Sequence, residues 1–197
     1  MIVLGLTGSI GMGKTTVTRQ LGVLGVPGIN ADSIVHTLIG KYGAAVEEVG
    51  HAFPGVVKDH AVDRQALRAQ VFGDAKKRKK LEAILHPRVV AAEEAFVVQQ
   101  RRLGKKAVVL DIPLLFETGA QERCDAVLVV SAPEFIQRQR VLRRPGMNEA
   151  ILRDILAIQM PDGQKRALAD FIIPTGLGKA HSMRALKNCL AELGHET

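Results

Sequence analysis

Near its start the chain carries an apolar run, Ile2-Val3-Leu4-Gly5-Leu6, that leads straight into Gly8-Ser9-Ile10-Gly11-Met12-Gly13-Lys14-Thr15. The second segment is a complete G-x-x-x-x-G-K-[ST] phosphate-binding pattern, and Thr16 to Leu21 after it reads as a helix. Strand, loop and helix in that order are what the pattern needs to work. The glycines let the backbone fold so that several N–H groups point at a β-phosphate, and a helix starting near Gly13 aims its positive end at the same place. Lys14 then sits between the β- and γ-phosphates, and the Thr15 hydroxyl joins the shell of a magnesium ion. Chance alone supplies such a loop in about a few per cent of chains this long. The competing reading, a glycine-rich turn that happens to precede a lysine, does not explain the flanking strand and helix.

Further apolar runs occur around Val26 to Ile29, at Ala107 to Leu110, at Ala126 to Val130 and at Phe171 to Ile173. They are continuous rather than alternating, as in strands buried on both faces of a parallel sheet. Helical periodicity fills the intervals, most clearly at Ala91 to Val98, Ile136 to Leu142, Ala150 to Ile158 and Met183 to Leu193. The pattern predicts an α/β protein: a five-stranded parallel sheet with helices on both faces.

Two intervals between strands are too long for simple crossovers. The stretch from Ile29 to Ala107 must hold a helical insertion, with helices predicted at Ala44 to Phe53, Arg64 to Phe72, Lys76 to Leu85 and Arg88 to Leu103. Pro54-Gly55, Gly73-Asp74 and His86-Pro87 are its breaks. The stretch from Val130 to Phe171 is rich in arginine, and Pro145-Gly146 divides it into a hinged helical hairpin.

Bulk properties narrow the function. Two cysteines, Cys124 and Cys189, lie far apart and fit no metal or redox spacing; a reducing cytoplasm with both thiols buried suits them. No stretch approaches 18 apolar residues, so no membrane span is expected. The net charge of +7 favours a polyanionic partner. Nucleic acid is disfavoured, because aromatics are 4% of residues, with one Tyr and no Trp to stack on bases. The run Lys76-Lys77-Arg78-Lys79-Lys80 reads as the solvated face of a helix, since Leu81, Ile84 and Leu85 recur behind it at helical spacing. Phosphorylated small molecules remain.

Acidic residues at strand ends are the next candidates. Asp32, in Asn30-Ala31-Asp32, follows the second strand, where α/β folds place ligands. It either takes a proton from an attacking hydroxyl or caps the following helix. Asp111 ends the third strand and either reaches a magnesium shell or caps a turn ahead of Pro113. Glu117 reads from position alone as a surface residue. Arg140 and Arg144 are four apart on a predicted helix, so they share a face, either closing over a triphosphate or solvated. His86 reads as a junction residue between two helices.

Taken together, Gly8 to Thr16, Asn30-Ala31-Asp32, Leu85-His86-Pro87, Asp111-Ile112-Pro113-Leu114-Leu115-Phe116-Glu117, Gln137-x-x-Arg140-x-x-x-Arg144, Gln159 and Lys165-x-x-x-Ala169-Asp170 resemble, in order and spacing, the dephospho-coenzyme A kinase family. The resemblance implies an enzyme using ATP and magnesium to phosphorylate the ribose 3′-hydroxyl of dephospho-coenzyme A. It implies a nucleotide-binding core at residues 1–30, 105–134 and 166–197, an acceptor domain at 31–104 and a lid at 135–165. Asp32 then matches a catalytic base, with Lys14 and Arg140 also catalytic. Gly8, Gly11, Met12, Gly13, Lys14, Thr15, Thr16, Arg140 and Arg144 fall on the ATP side, Asp32, His86 and Glu117 on the acceptor side. Thr15 and Asp111 match the magnesium position, partly through water. A cytoplasmic monomer without nucleic-acid or membrane partners is the corresponding expectation. One departure stands out: the family usually has Asp-Ala-Asp after the second strand, and this chain has Asn30. A kinase of another small acceptor is a second reading. A nucleotide-dependent switch is disfavoured, for Asn-Lys-x-Asp is absent and Asp111-Ile112-Pro113-Leu114 stands where Asp-x-x-Gly is needed.

Overall fold

The computed structural model describes residues 1–194. Strand β1 (Ile2–Thr7) runs into the glycine-rich loop and helix α1 (Lys14–Val23), followed by β2 (Gly28–Asn30). Next come α2 (Ala31–Ile39), α3 (Val46–Ala52), short strands β3 (Val57–Lys58) and β4 (Ala61–Val62), α4 (Arg64–Val71) and the long α5 (Ala75–Arg102). The chain returns as β5 (Ala107–Asp111) and β6 (Ala126–Ser131) and continues through α6 (Glu134–Leu142), α7 (Glu149–Ile158) and α8 (Asp162–Ala167). It closes with β7 (Phe171–Pro174) and α9 (Lys179–Glu192).

The main sheet has the order β2-β5-β1-β6-β7. β1 lies between β5 and β6, parallel to both, and β7 runs parallel to β6. β2 is an edge strand; Val109 donates its backbone N–H to Pro27 O at 2.9 Å just ahead of it. All five strands expected from the sequence are present, with β2 starting at Gly28 rather than Val26. Burial on both faces explains their continuous apolar runs. On one face Leu4, Leu6, Val109, Leu128 and Val130 pack with Val17 and Leu21 of α1 and Leu186 and Leu190 of α9. Val108, Leu110, Val127 and Val129 alternate with that set and are buried as well. The stretch after β5 helps cover this other face: a Cβ on Gly5 would lie 2.8 Å from both Leu115 Cδ1 and Cys124 Sγ.

The chain divides into two compact units. One is Met1–Gly28 with the chain from Gln99 onward; the other is Ile29–Val98. The second unit falls close to the insertion expected at 31–104, but its end lies inside α5. Residues 135–165, expected as a lid, belong to the first unit by this division.

The second unit has its own apolar core of Ile39, Ala45, Val46, Val49, Phe53, Val56, Val62, Leu67, Ile84 and Leu85. Two of its helices, α4 and α5, start at aspartate caps. Asp63 accepts from Gln65 N at 3.0 Å and Ala66 N at 3.1 Å to begin α4. The Ala66 amide, with Lys58 beside it, holds the Asp63 carboxyl below its ordinary range. Asp74 accepts from Lys76 N and Lys77 N, both at 3.0 Å, at the start of α5. Lys76 to Lys80 are all exposed, as expected for a solvated helix face.

Two local readings of this unit are corrected. His86-Pro87 does not break a helix: α5 is continuous through Pro87. Proline removes an N–H, so Ala83 O loses its helical partner, and crowds the preceding turn; one residue on, Arg88 Nη1 donates to Ile84 O at 2.8 Å. Arg88 Nη2 also pairs with Glu48 at 2.6 Å, so the guanidinium joins α5 to α3. The second correction is an unforeseen hairpin, β3 antiparallel to β4. Asp59 and His60 form its two-residue turn with φ of 49° and 61°, the doubly positive pattern such turns require, without a glycine to announce it.

Candidate active site

The phosphate-binding loop follows β1 in the first unit. Gly11 and Gly13 take φ of 78° and 93°, which a side chain would resist. Space forbids one too: a Cβ on Gly11 would meet Val141 Cγ2 at 2.6 Å and Gln137 O at 2.9 Å. Gly13 is the N-cap of α1, so Lys14 and Thr15 open the helix and their amides precede any helical partner.

Lys14 Nζ forms an ion pair with Asp111 Oδ1 at the end of β5. Thr18 Oγ1 lies 2.9 Å from Asp111 Oδ2 and 3.1 Å from Lys14 O, with one proton to donate between them. Asp111 is buried (3% exposed), so its charge depends on these partners, and it is not a simple turn cap. Thr15 is exposed at the first turn.

Side chains from the arginine-rich stretch hold the loop from the other side. Arg140 on α6 donates to Gly11 O at 3.3 Å and to Thr175 Oγ1 and O at 3.1 and 2.8 Å. Thr175 in turn donates to Met12 O at 2.5 Å. Gln137 Nε2 donates to Ile10 O at 2.8 Å, and Gln159 Oε1 accepts from Ile10 N at 3.0 Å, so one loop residue is held by two side-chain amides. Met12 Sδ accepts from Ala132 N at 3.2 Å. The Arg140–Arg144 spacing reads differently in three dimensions: α6 ends at Leu142, placing Arg144 in the following turn. Both arginines nevertheless line a cleft of about 340 Å³ together with Gly13, Thr15, Thr16, Thr175 and Lys179. Arg138 pairs with Glu149 across the α6–α7 connection, and that bond raises its pKa.

Glu117 is an exposed residue, as read from its position, but its carboxylate is tied down. It is an ion-pair partner of Lys165 at 2.9 Å and accepts from Met160 N at 2.7 Å. A second cleft of about 310 Å³ lies beside Ser9, Gln159 and Asp162, and Ser9 Oγ is buried there without a hydrogen-bond partner among the described residues.

In the second unit Asp32 stands exposed in the first turn of α2. The helix cap is Asn30, whose Oδ1 accepts from Ser33 N at 2.9 Å, so Asp32 is not spent on capping. His86 is exposed on α5, far into the helix rather than at a junction. Sequence reasoning missed Thr175 and Lys179 as parts of the loop's surroundings, and it quoted Gln137 in a motif without giving it a contact. Thr175 follows the last strand, and the rule that strand C-terminal ends carry ligands was signal enough to find it.

Strand, glycine-rich loop, capped helix and an acidic residue on the adjacent strand define a phosphate-loop nucleotide-binding protein of the small-molecule kinase class. The model for the family described as dephospho-CoA kinase matches residues 2–178. The dephospho-CoA kinase of Paramagnetospirillum magneticum is 60% identical over 166 residues, covering 84% of this chain and 78% of that protein. A solved structure from Thermus thermophilus is 35% identical with a TM-score of 0.84, covering 98% and 97% of the two chains. The dephospho-CoA kinase of Campylobacter jejuni is 25% identical with a TM-score of 0.63, covering 97% and 96%. The chain belongs to the dephospho-CoA kinase family.

Proposed function

We propose that this chain transfers the γ-phosphoryl group of ATP to the ribose 3′-hydroxyl of dephospho-coenzyme A, with Asp32 as the base that takes the hydroxyl proton. The observation that carries the reading is a complete phosphate loop, with Lys14 and Asp111 paired beneath it, inside a family match spanning residues 2–178.

Phosphoryl transfer needs alignment and charge neutralisation more than covalent chemistry. Lys14 exchanges its contact with Asp111 for the β- and γ-phosphates. The loop amides and the α1 N-terminus hold the β-phosphate. Arg140 and Arg144, on the rim of the larger cleft, neutralise the triphosphate. Residues 135–165 act as a lid whose closure excludes water, which otherwise competes as acceptor.

The donors present fit magnesium. Asp111 and Thr15 supply hard oxygen ligands, and no cluster of three or more His, Cys, Asp or Glu among the described residues forms a cage of its own. That is the protein share magnesium takes when substrate phosphates and water complete its shell. The ion supplies neutralisation of phosphate charge when bound. Asn30 lacks the charge usual at its position but caps α2 as an aspartate does, so we assign it to structure.

We assign residues 31–104 to the acceptor, with His86 among the contacts, and the protein to the cytoplasm as a monomer. Neither cysteine forms a disulfide, and no helix among the described residues is long and apolar enough to cross a membrane. Cys189 is buried as expected, and burial pushes its thiol up to about 12; Cys124 is only partly buried. The test is ADP release measured across dephospho-coenzyme A, shikimate, nucleoside monophosphates and water. Turnover should depend on dephospho-coenzyme A, and a faster reaction with another acceptor overturns the assignment.

A further inference from the structure

We propose that Lys165 and Glu117 are positioning residues that hold the phosphate-binding loop in register with the segment carrying Asp111, a role that rests on the kinase reading above. Lys165, on α8, is fully buried. Its Nζ donates to Pro113 O at 3.1 Å, lies 3.4 Å from Thr7 Oγ1, and pairs with Glu117 at 2.9 Å from Oε1 and 3.1 Å from Oε2. Three acceptor groups, a carbonyl, a hydroxyl and a carboxylate, thus face the three N–H bonds of an ammonium.

Each acceptor belongs to a segment the chemistry depends on. Thr7 is the residue before Gly8, and its own hydroxyl donates to Pro113 O at 3.0 Å. Pro113 stands two positions beyond Asp111, the partner of Lys14. Glu117 also accepts from Met160 N, and the neighbouring Gln159 accepts from Ile10 N within the loop. One buried cation therefore joins the start of the phosphate loop, the segment after Asp111 and the α7–α8 connection.

Stability alone does not account for it. Removing an ion pair from water costs much of what the attraction returns, and an apolar pair of like volume usually fills such a site as well. What an apolar pair lacks is direction. Misplacement of reacting groups by about 1 Å can cost roughly a hundredfold in rate, so fixed donors near the loop have a kinetic use that packing cannot replace.

The experiment compares wild type, K165M/E117Q and E117Q by thermal unfolding, steady-state kinetics with ATP and dephospho-coenzyme A, and amide hydrogen exchange. The double variant removes both charges together, so its unfolding midpoint should stay within about 5 °C of wild type. Its kcat should fall roughly tenfold or more, KM for ATP should rise, KM for dephospho-coenzyme A should hold, and amides from Gly8 to Thr15 should exchange faster. Recovered stability with kcat and KM for ATP within about twofold of wild type overturns the proposal and leaves a structural pair. A rise in KM for dephospho-coenzyme A alone also overturns it, giving Glu117 to acceptor binding. If the double variant does not fold, E117Q decides: it keeps an oxygen for the Met160 amide, and wild-type kcat with unchanged exchange at Ile10 sinks the idea. Failure of wild type itself to phosphorylate dephospho-coenzyme A counts against the kinase reading, whereas the exchange pattern of the loop still reads the clasp.

Discussion

The two units solve different problems with different cores. The first carries polar groups inward: Lys165, Asp111, Gln137 and Thr175 are all buried, and each is tied to the phosphate loop or to the segments flanking it. The second has an apolar core with one buried charged side chain, Glu93, among the described residues, and its candidate reactive residues, Asp32 and His86, are exposed. Buried polar networks are costly unless satisfied, but they fix geometry. The contrast teaches where rigidity is needed. A triphosphate must be held in one alignment, whereas a unit proposed to take the acceptor would have to admit a large flexible ligand and release it.

The sharpest way to break the comparison is at Asp32. If the second unit supplies the base, Asp32→Asn should lower kcat by about 10² to 10⁴ while KM for ATP stays near wild type, since a base acts on chemistry and not on nucleotide affinity. Single-turnover phosphorylation of dephospho-coenzyme A checks this. Retained turnover, or a loss wholly in ATP affinity, removes Asp32 from the mechanism and leaves all the chemistry in the first unit.

Lys14→Ala tests the other unit and should cost on the order of a hundredfold in turnover. The structure adds a second effect. Asp111 is buried against Lys14, so the variant strands a carboxylate and should unfold at a lower temperature than wild type. Lys14→Ala with Asp111→Asn should recover most of that stability and none of the activity. Near-normal turnover in either variant refutes the role of the loop.

The same contrast governs how much was legible in the sequence. The sheet, the loop and Asp111 could be read because buried parallel strands are continuous apolar runs and because the phosphate loop needs fixed residues at fixed spacing. The clasp around Lys165 could not be read. Lys165, Pro113 and Glu117 stand in the motifs that carry the resemblance, but their mutual contacts, and those with Thr7 and Met160, form only on folding and leave no mark in the spacing. In the second unit the failures were local. Pro87 carries a break signal, yet α5 runs through it, and Asp59-His60 makes a hairpin turn without glycine. Asp32 lost its capping alternative only when Asn30 was seen bonded to Ser33 N.

Ligand-dependent hydrogen exchange sharpens the division with a smaller effect. A ligand stabilises the elements it contacts or closes. ATP should chiefly protect Gly8 to Thr16 and the segment around Arg140 and Arg144, and dephospho-coenzyme A should protect helices between Arg64 and Arg102. Slowing of about tenfold in each set would match a bound state favoured by roughly 1.4 kcal/mol, which peptide-level mass spectrometry after digestion resolves. Saturating dephospho-coenzyme A that left the second unit unprotected would move the acceptor site elsewhere, even with the phosphate loop confirmed.

The smallest expected effect lies at Asn30, where the family pattern has an aspartate. Asn30 Oδ1 accepts from Ser33 N at 2.9 Å and lies 3.3 Å from Ser33 Oγ, contacts that a carboxylate oxygen makes equally well. Asparagine and aspartate rank alike as N-caps, and a negative charge at a helix start adds only about 0.3–1 kcal/mol. Asn30→Asp should therefore raise the unfolding midpoint slightly and leave kcat within about twofold of wild type. Asn30→Ala, which removes the cap, should cost about 1 kcal/mol and serves as the control that the contact exists. The pair separates structure from chemistry at this position. If Asn30→Asp instead raised kcat about tenfold, or shifted the magnesium concentration needed for half-maximal rate, the position would be one where charge matters to phosphoryl transfer. The second unit would then contribute to the nucleotide side as well as to the acceptor.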